Sequence, residues 1–366
     1  MRRLKISDNM LKSVRKGSLS GVLLIMIFST VAAGTGYSGG KPRSAGEQGR
    51  PTGSWSPTLH YYISYLLEAS DDFTRQGIIG RVGDEEMKII CRLRGVVEEQ
   101  VDDGELLKLP SPEMPFAASY RPGPLAVIAD RVIPCTKRVE VSALVLEPLQ
   151  EMVAFVNSHP GCRLVVASGY RPYERQAVLF ANRTNRVLNE HPELEGDREK
   201  AQAVAGRIVA VPGTSQHMTG RAVDFTTAGL GGCLEIEFAD TFEGILLKEH
   251  AWRYGFVFPY AEGKEEITGY IYEPWHLLYV GKYHAEMISK NDWVIEEYRN
   301  YMQKEKSVLF KTLEGKLRRY LYNEKTGTTG VYWVKEKEPS PVFSPVLTEI
   351  MKKERPEKPG DIKSMD

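Results

Sequence analysis

The segment TSQHMTGRAVDF, residues 214–225, places a carboxylate inside an apolar run and constrains the fold more than any other part of the chain. Asp224 lies between Val223 and Phe225, seven residues after His217. A carboxylate that is buried without a partner is costly. A fold that buries this segment must therefore bring a compensating group to Asp224.

The composition indicates a globular protein that has no electrostatic preference for nucleic acid. The chain has 366 residues, which is enough for two average domains or for one domain with long flanks. Hydrophobic residues make up 42% and aromatic residues 10%, so a substantial core can form. The formal net charge is zero, and no zinc-finger or RNA-recognition spacing is present, which argues against nucleic-acid binding.

The N-terminus has the pattern of an export signal. Six basic residues precede the apolar run GVLLIMIFSTVAA, residues 21–33. This order is typical of a signal peptide, and residues 1–33 are predicted to be one. The alternative is a retained anchor over residues 17–40, an uncharged stretch just long enough to span a bilayer. Either way the sequence predicts an exported, extracytoplasmic protein, membrane-anchored or secreted at the cell wall.

Three flanking regions surround the most consistently globular part of the chain. Residues 34–56 are rich in Gly, Ser and Pro and are predicted to be a flexible linker. Residues 57–109 form an uncharacterised N-terminal extension, with a helix predicted over 59–69 and a strand over 87–94. Residues 304–366 form a C-terminal extension, with a predicted hairpin over 317–334 and a disordered tail.

Residues 110–303 alternate between helical and strand patterns, which predicts an α+β domain. Apolar spacing and capping residues predict helices over 141–158, 172–189, 197–208, 242–254, 282–290 and 293–303. Runs of β-branched and aromatic residues predict strands over 162–168, 221–226, 255–259 and 270–279.

The four cysteines do not form a metal-binding pair. They are Cys91, Cys135, Cys162 and Cys233, and none belongs to a CxxC motif. An exported chain could pair them in three connectivities that the sequence does not resolve, or bury them as small apolar side chains.

Asp224 finds candidate partners among polar residues elsewhere in the domain. His217, Asp224 and His276 have the donor types of a catalytic zinc site, which has three protein ligands and one open position. Glu273, in the motif EPWH, lies where a carboxylate could act as general base. Arg171, at the end of a predicted strand, matches a substrate carboxylate. Each motif alone is more often structural, and their joint occurrence favours a peptidase that acts on a free C-terminus.

Three sequence blocks, SGYRPYERQ, SQHMTGRAVD and EPWH, resemble the signature blocks of the zinc D-alanyl-D-alanine carboxypeptidases of the VanY type. These peptidoglycan peptidases share their fold with hedgehog signalling domains. The resemblance covers residues 110–303 and implies a small mixed domain with a central antiparallel sheet flanked by helices. It implies that His217, Asp224 and His276 bind zinc and that Glu273 is the catalytic base.

The same resemblance implies a substrate site. Arg171 would hold the substrate's terminal carboxylate or its scissile carbonyl, and Gln176 and Ser215 would line the site. Tyr170 is a further candidate substrate contact, with a place in the core as the alternative. The loop 227–237 is a region where specificity could differ between relatives.

The predicted function is a D,D-carboxypeptidase that removes the C-terminal D-alanine from peptidoglycan stem peptides. The alternatives are an L,D-carboxypeptidase, a D,D-dipeptidase, or a catalytically inactive cell-wall-binding module of the same fold. No protein partner is predicted. The remaining histidines have no partner at ligand spacing and are predicted to be structural or solvent-facing: His60, His159, His191, His250 and His284.

Overall fold

The computed structural model describes residues 65–66, 77–129 and 132–336. The predicted signal or anchor, the linker and the tail beyond residue 336 lie outside the described residues, as does most of the helix predicted over 59–69. Within the described part of the chain, no helix is both long and apolar enough to cross a membrane. All four cysteines are described and are free thiols, with Cys233 exposed and the other three partly buried.

The described residues form eleven strands and eight α-helices, joined by short 3-10 helices. The strands are β1 (Gly77–Arg81), β2 (Val96–Asp102), β3 (Leu125–Val127), β4 (Glu140–Ser142), β5 (Leu164–Ser168), β6 (Ala222–Thr227), β7 (Phe256–Val257), β8 (His276–Tyr279), β9 (Ser307–Lys311), β10 (Leu317–Asn323) and β11 (Thr328–Glu336). The helices are α1 (Asp84–Arg94), α2 (Ala143–Asn157), α3 (Tyr173–Glu190), α4 (Arg198–Gly206), α5 (Phe242–His250), α6 (Glu265–Thr268), α7 (Lys282–Lys290) and α8 (Ile295–Glu305). This mixture of helices and antiparallel sheets confirms the predicted α+β class.

A four-stranded antiparallel sheet lies at the centre of the molecule, with the strand order β5-β6-β8-β7. Strand β6 is inside this sheet and buried along its whole length, so the polar side chains of Asp224, Thr226 and Thr227 need partners inside the molecule. Helix α2 covers the sheet with Val145, Leu149 and Met152, which recur at helical spacing and are buried in the same core as Phe225. Burial of each such side chain stabilises the fold by roughly 1.5–3 kcal/mol.

The two flanks of the domain combine into a second sheet. Its strand order is β1-β9-β10-β11-β2, so strands from before residue 103 pair with strands from after residue 306. Strands β10 and β11 pair antiparallel from Leu317 to Val334, which confirms the predicted hairpin. Although the sequence analysis treated them as separate extensions, the two flanks build one structural unit.

Two arginines attach this unit to the central domain. Arg221, at the start of the strand that bears Asp224, donates to the main-chain oxygens of Leu106 and Lys108. Arg299 in α8 donates to the main-chain oxygen of Leu107 between them. An arginine has five donors in a fixed fork, so one side chain can satisfy several carbonyls of an irregular segment.

Three strand predictions were wrong or too long. Residues 87–94 belong to α1, where Met87 and Ile90 are buried at helical spacing and Gly95 ends the helix with a left-handed φ of 65°. Residues 270–279 form a strand only from His276, because Pro274 has no N–H to donate to a ladder. The strand predicted over 255–259 is likewise reduced to β7.

The other predictions within residues 110–303 agree with the structure to within a few residues. The helix predicted over 282–290 coincides with α7, and the helix predicted from residue 197 begins after Asp197, whose side chain accepts from the Lys200 N–H. The helix predicted over 141–158 begins two residues later, because Val141 and Ser142 end β4.

Candidate metal centre and active site

The pairing of β6 with β8 brings two of the predicted ligands together. In this antiparallel register Asp224 is directly opposite His276. The Nδ1 atom of His276 lies 2.9 Å from Oδ1 of Asp224, and both side chains are buried. A separation of 52 positions in sequence is therefore bridged by a single cross-strand pair.

A tight turn brings His217 to the same carboxylate. His217 lies in the 3-10 helix Gln216–Thr219, which ends at Gly220 with a φ of 68°. A side chain at Gly220 would also place its Cβ 3.0 Å from the Ser142 main-chain nitrogen, so glycine fits this close approach. The chain then enters β6, and Nε2 of His217 lies 3.1 Å from Oδ2 of Asp224.

The three predicted ligands form one buried cluster. A nitrogen or oxygen atom from each of His217, Asp224 and His276 lies within 4.8 Å of the other two. Nδ1 of His217 donates to the Gly169 main-chain oxygen at 2.7 Å, and Nε2 of His276 lies 3.1 Å from Oε1 of Gln216. These outward contacts leave the opposite nitrogen of each ring facing Asp224, as is usual for histidines that bind a metal.

The electrostatics of the cluster fit a cation. Burial and the nearby Arg171 lower the pKa of His217 to about 4, so this imidazole is neutral near pH 7. Burial disfavours the charge of Asp224, but its contacts with His217 and His276 outweigh that cost and hold its pKa well below the usual value. A neutral nitrogen with its lone pair toward a carboxylate oxygen is an unfavourable contact between two acceptors, and a divalent cation between them would resolve it.

Arg171 lies at the rim of the cluster, in the loop between β5 and α3. Its Nη2 atom is 3.6 Å from Oδ2 of Asp224 and donates to Ser168 Oγ at 3.2 Å. Its Nη1 atom donates to Oε1 of Gln176 at 3.0 Å. The side chain keeps 19% of its surface exposed, so the guanidinium is both held in place and open to a ligand.

Glu273 is a buried carboxyl group beside the cluster. No hydrogen bond or ion pair to its side chain is found among the described residues, although only 9% of its surface is exposed. Burial and the charge of Asp224, partly offset by Arg171, raise its pKa to about 8. A carboxyl group whose pKa lies near neutrality can both accept and release a proton, which a general base that later acts as an acid must do.

The remaining predicted substrate contacts occupy different positions. Gln176 has no exposed surface, and its amide bonds Arg171 and the Ala210 main-chain oxygen, so it supports the guanidinium from behind. Ser215 is buried beside the 3-10 helix that carries His217. Tyr170 is half-buried and lines a cavity of about 540 Å³ next to the cluster. The substrate contacts of all three stay predictions.

That cavity reaches the cluster at Asp224. Asp224 and Arg171 line it together with Ser168 and Arg175, and the loop around Leu234 borders its far side. Its volume is within the range of small-ligand sites and suits the end of a peptide.

Three residues of the site escaped the sequence analysis. Gly169 and Gln216 accept the outward hydrogen bonds of the two histidines, and Tyr260 packs its ring on His276. Gln216 directly precedes His217, so its position in the motif was an available signal. Gly169 acts through a main-chain oxygen, and Tyr260 is 16 residues from its partner, so neither had a sequence signal of its own.

Comparison with known proteins places the site in a family context. Residues 138–282 match the VanY family, described as D-alanyl-D-alanine carboxypeptidase. The chain is 41% identical over 144 residues to the YodJ protein of Bacillus subtilis (strain 168), a match that covers 39% of this chain and 48% of YodJ. It is 30% identical over 171 residues to a D-alanyl-D-alanine carboxypeptidase of Enterococcus faecium, covering 46% of this chain and 47% of that protein. The chain thus spans about half the length of these curated relatives.

Among solved structures, a variant of a vancomycin resistance D,D-pentapeptidase VanY in complex with Zn(II) is 30% identical to this chain. The match covers 52% of this chain and 97% of that chain, with a TM-score of 0.43.

Proposed function

Because residues 138–282 match the VanY family of D-alanyl-D-alanine carboxypeptidases, we propose that the chain is a zinc-dependent D,D-carboxypeptidase. Its substrates would be peptidoglycan stem peptides, from which it removes the C-terminal D-alanine. The observation that carries this proposal is the convergence of His217, Asp224 and His276 beside the unpaired carboxyl group of Glu273.

The donor set suits zinc of the catalytic type. Two imidazoles and one carboxylate make three protein ligands and leave a position open for substrate or water. When bound there, zinc would supply Lewis-acid polarisation of the scissile carbonyl and activation of the attacking water. A magnesium or calcium ion is a poorer fit, because those ions prefer oxygen ligands.

The chain's own residues would perform the binding and proton steps. Arg171 would hold the substrate's terminal carboxylate or its scissile carbonyl, with the guanidinium kept in place by Gln176 and Ser168. Glu273 would take a proton from the water that attacks the carbonyl carbon. It would then give that proton to the leaving amine as the C–N bond breaks, which releases D-alanine and a shortened stem peptide.

A panel of three substrates tests the proposal. The zinc-loaded full chain is incubated with a stem pentapeptide ending in D-Ala-D-Ala, a tetrapeptide ending in one D-Ala, and the free dipeptide D-Ala-D-Ala. We expect D-alanine to be released from the pentapeptide alone. Release from the tetrapeptide alone would identify an L,D-carboxypeptidase, and cleavage of the free dipeptide a D,D-dipeptidase.

Metal analysis separates these activities from the inactive alternative. The purified chain should carry one zinc per molecule. Absence of stoichiometric zinc, together with no hydrolysis of any peptide after zinc is added, would support a cell-wall-binding module instead.

We further infer an extracytoplasmic location at the cell wall. The support is the order of a basic segment and an apolar run in residues 1–33, together with the proposed wall substrate. Fractionation of cells that express the tagged full chain tests this. Recovery in the membrane fraction would indicate anchoring through residues 17–40, recovery in the medium would indicate cleavage, and recovery in the cytosol would refute export.

A further inference from the structure

Tyr260 lies between the proposed base and one of the proposed metal ligands. It follows β7 in sequence, and its main-chain oxygen accepts the N–H of Glu273 at 3.0 Å. Its side chain is buried, with 7% of the residue exposed. The same residue therefore fixes the backbone that carries Glu273 and contributes a ring to the interior of the site.

The ring of Tyr260 packs against the face of His276. The two ring centroids are 5.0 Å apart and the ring planes are inclined by 30°. Tyr270 also packs on the Tyr260 ring, with the ring centroids 4.5 Å apart and the ring planes inclined by 37°. The Tyr270 hydroxyl lies 3.5 Å from Thr214 Oγ1, which ties this pair of rings to the segment that carries His217.

The hydrogen bonds of His276 do not fix its orientation completely. Its Nδ1 and Nε2 atoms contact Asp224 and Gln216, and both contacts lie along the edge of the ring. Edge contacts set the direction in which the nitrogens point but restrain tilting of the ring plane only weakly. A second ring packed on the face of the imidazole opposes that tilt.

We propose that Tyr260 is a positioning residue that holds His276 through its ring and Glu273 through its main chain, so that ligand and base keep a fixed relative geometry. This inference rests on the proposed function and extends it to a residue outside the three signature blocks. Because partners behind the ligands orient them, their loss commonly costs about 10- to 100-fold in metal affinity or activity.

The ring, and not the hydroxyl, carries this role. No hydrogen bond of the Tyr260 hydroxyl to the described residues is found. Phenylalanine would keep the packed ring, whereas leucine would remove the ring and leave a smaller apolar side chain.

The test compares Tyr260→Phe and Tyr260→Leu with Tyr279→Leu in the full chain. Tyr279 is the matched control, because it lies in the same strand as His276 but packs its ring on Phe256, 5.3 Å away. Each variant is loaded with cobalt(II), and the visible absorption spectrum and the cobalt dissociation constant are measured. The zinc-loaded forms are assayed for kcat and KM on the stem pentapeptide.

We expect Tyr260→Leu to shift the cobalt spectrum and to lower kcat by about 10- to 100-fold, with KM changed less than about threefold. Tyr260→Phe and Tyr279→Leu should keep the parent spectrum and kcat. A parent-like spectrum in Tyr260→Leu, or a Phe variant as impaired as the Leu variant, would overturn the proposal. If the parent chain hydrolyses no stem peptide, the proposed function fails while the cobalt spectrum still decides the role of Tyr260.

Discussion

The contact between His276 and Asp224 and the contact between His284 and Asp102 are built in opposite ways. In the central sheet, Nδ1 of His276 lies 2.9 Å from Asp224. Where the flanking sheet meets α7, Nε2 of His284 lies 3.0 Å from Asp102. The two contacts are similar in distance, but the other partners of their atoms differ.

In the contact between His284 and Asp102, both ring nitrogens of the histidine have a hydrogen-bond partner. The second ring nitrogen of His284 bonds the Tyr298 hydroxyl at 2.8 Å, and Asp102 also accepts the Gly104 N–H at 2.7 Å. No nitrogen of His284 is left for a further ligand. This is the arrangement of a histidine that links structural elements, as the sequence analysis predicted for it.

The contact in the central sheet is not saturated. Both oxygens of Asp224 face histidine nitrogens, and the other nitrogen of each histidine already has an outward partner. When the proton of each ring is on the outward-facing nitrogen, the nitrogens that face Asp224 are acceptors, and a cation between them and the carboxylate would relieve that contact.

Buried glutamates repeat the contrast. Glu286, near the flanking sheet, bonds Arg318 at 2.7 Å and accepts the Leu313 N–H. The side chain of Glu273 has no such partner among the described residues. Stability favours complete pairing of buried charges, so the groups left unpaired are those that most plainly serve chemistry.

The largest loss of zinc and of activity is expected when a proposed metal ligand in the central sheet is removed. His217→Ala should lose zinc and lower kcat/KM by more than about 1,000-fold, because two ligands cannot hold the ion in catalytic geometry. Metal content and hydrolysis of the stem pentapeptide check this. His284→Ala is the matched control and should bind zinc as the parent does. Equal loss of zinc in both variants would erase the distinction between the two sites.

Glu273→Ala should separate metal binding from turnover. The three ligands remain, so the zinc content should equal that of the parent, while kcat falls by about 1,000-fold through loss of the base. Metal analysis and steady-state kinetics on the same preparation provide the measurement. A near-normal kcat would show that another group accepts the proton.

The raised pKa of Glu273 predicts a pH dependence in the metal-free protein. Its pKa is about 8 in the folded state against an ordinary 4.5, so between these values only the unfolded chain loses the proton. The free energy of unfolding of the parent should therefore fall relative to Glu273→Gln as the pH rises from 4.5 to 8, by about 3 to 5 kcal/mol. Denaturant titrations of chelator-treated protein measure this difference. A pH-independent difference would mean that Glu273 ionises normally.

Much of the central site could be predicted from the sequence, because its chemistry depends on rare residue types in an ordered pattern. The metal-binding residue types are uncommon and lie next to turn and strand patterns that can be recognised in a short window of sequence, as for His217, Asp224 and His276. The register that places Asp224 opposite His276 follows once β6 and β8 are recognised as neighbours in an antiparallel sheet.

The flanking sheet could not be predicted in the same way. Strand β1 pairs with β9, and β2 with β11, across more than 200 residues of chain. Nothing in a short window indicates such a partner, and residues 87–94 were assigned to a strand because their apolar content was read without its period. Tyr260 was missed for a related reason, since packing on a distant ring has no local pattern.

Replacing His284 should lower the stability of the fold without changing zinc binding or catalysis. His284→Phe keeps the ring volume but leaves Asp102 and the Tyr298 hydroxyl without their imidazole partner. We expect the free energy of unfolding to fall by about 2 to 4 kcal/mol, with zinc content and kcat unchanged. Denaturant unfolding and metal analysis test both halves. A loss of zinc would mean that the two histidine–aspartate contacts are coupled.

The smallest effect is expected where a satisfied ion pair is replaced as a whole. Arg318 and Glu286 are both buried, and Nε of Arg318 has no partner among the described residues. Glu286→Leu alone should destabilise by about 3 kcal/mol because it leaves a buried cation, whereas Glu286→Leu with Arg318→Met should lie within about 1 kcal/mol of the parent. Denaturant unfolding of the two variants measures the difference.

A double variant as unstable as the single one would show that the packing of Arg318 between the rings of Tyr283 and Trp333, and not its charge pairing, holds this part of the sheet together. A double variant as stable as the parent would show that the buried charges of Glu286 and Arg318 can be replaced. At the central site the buried charge of Asp224 is needed, because an apolar replacement there would abolish metal binding.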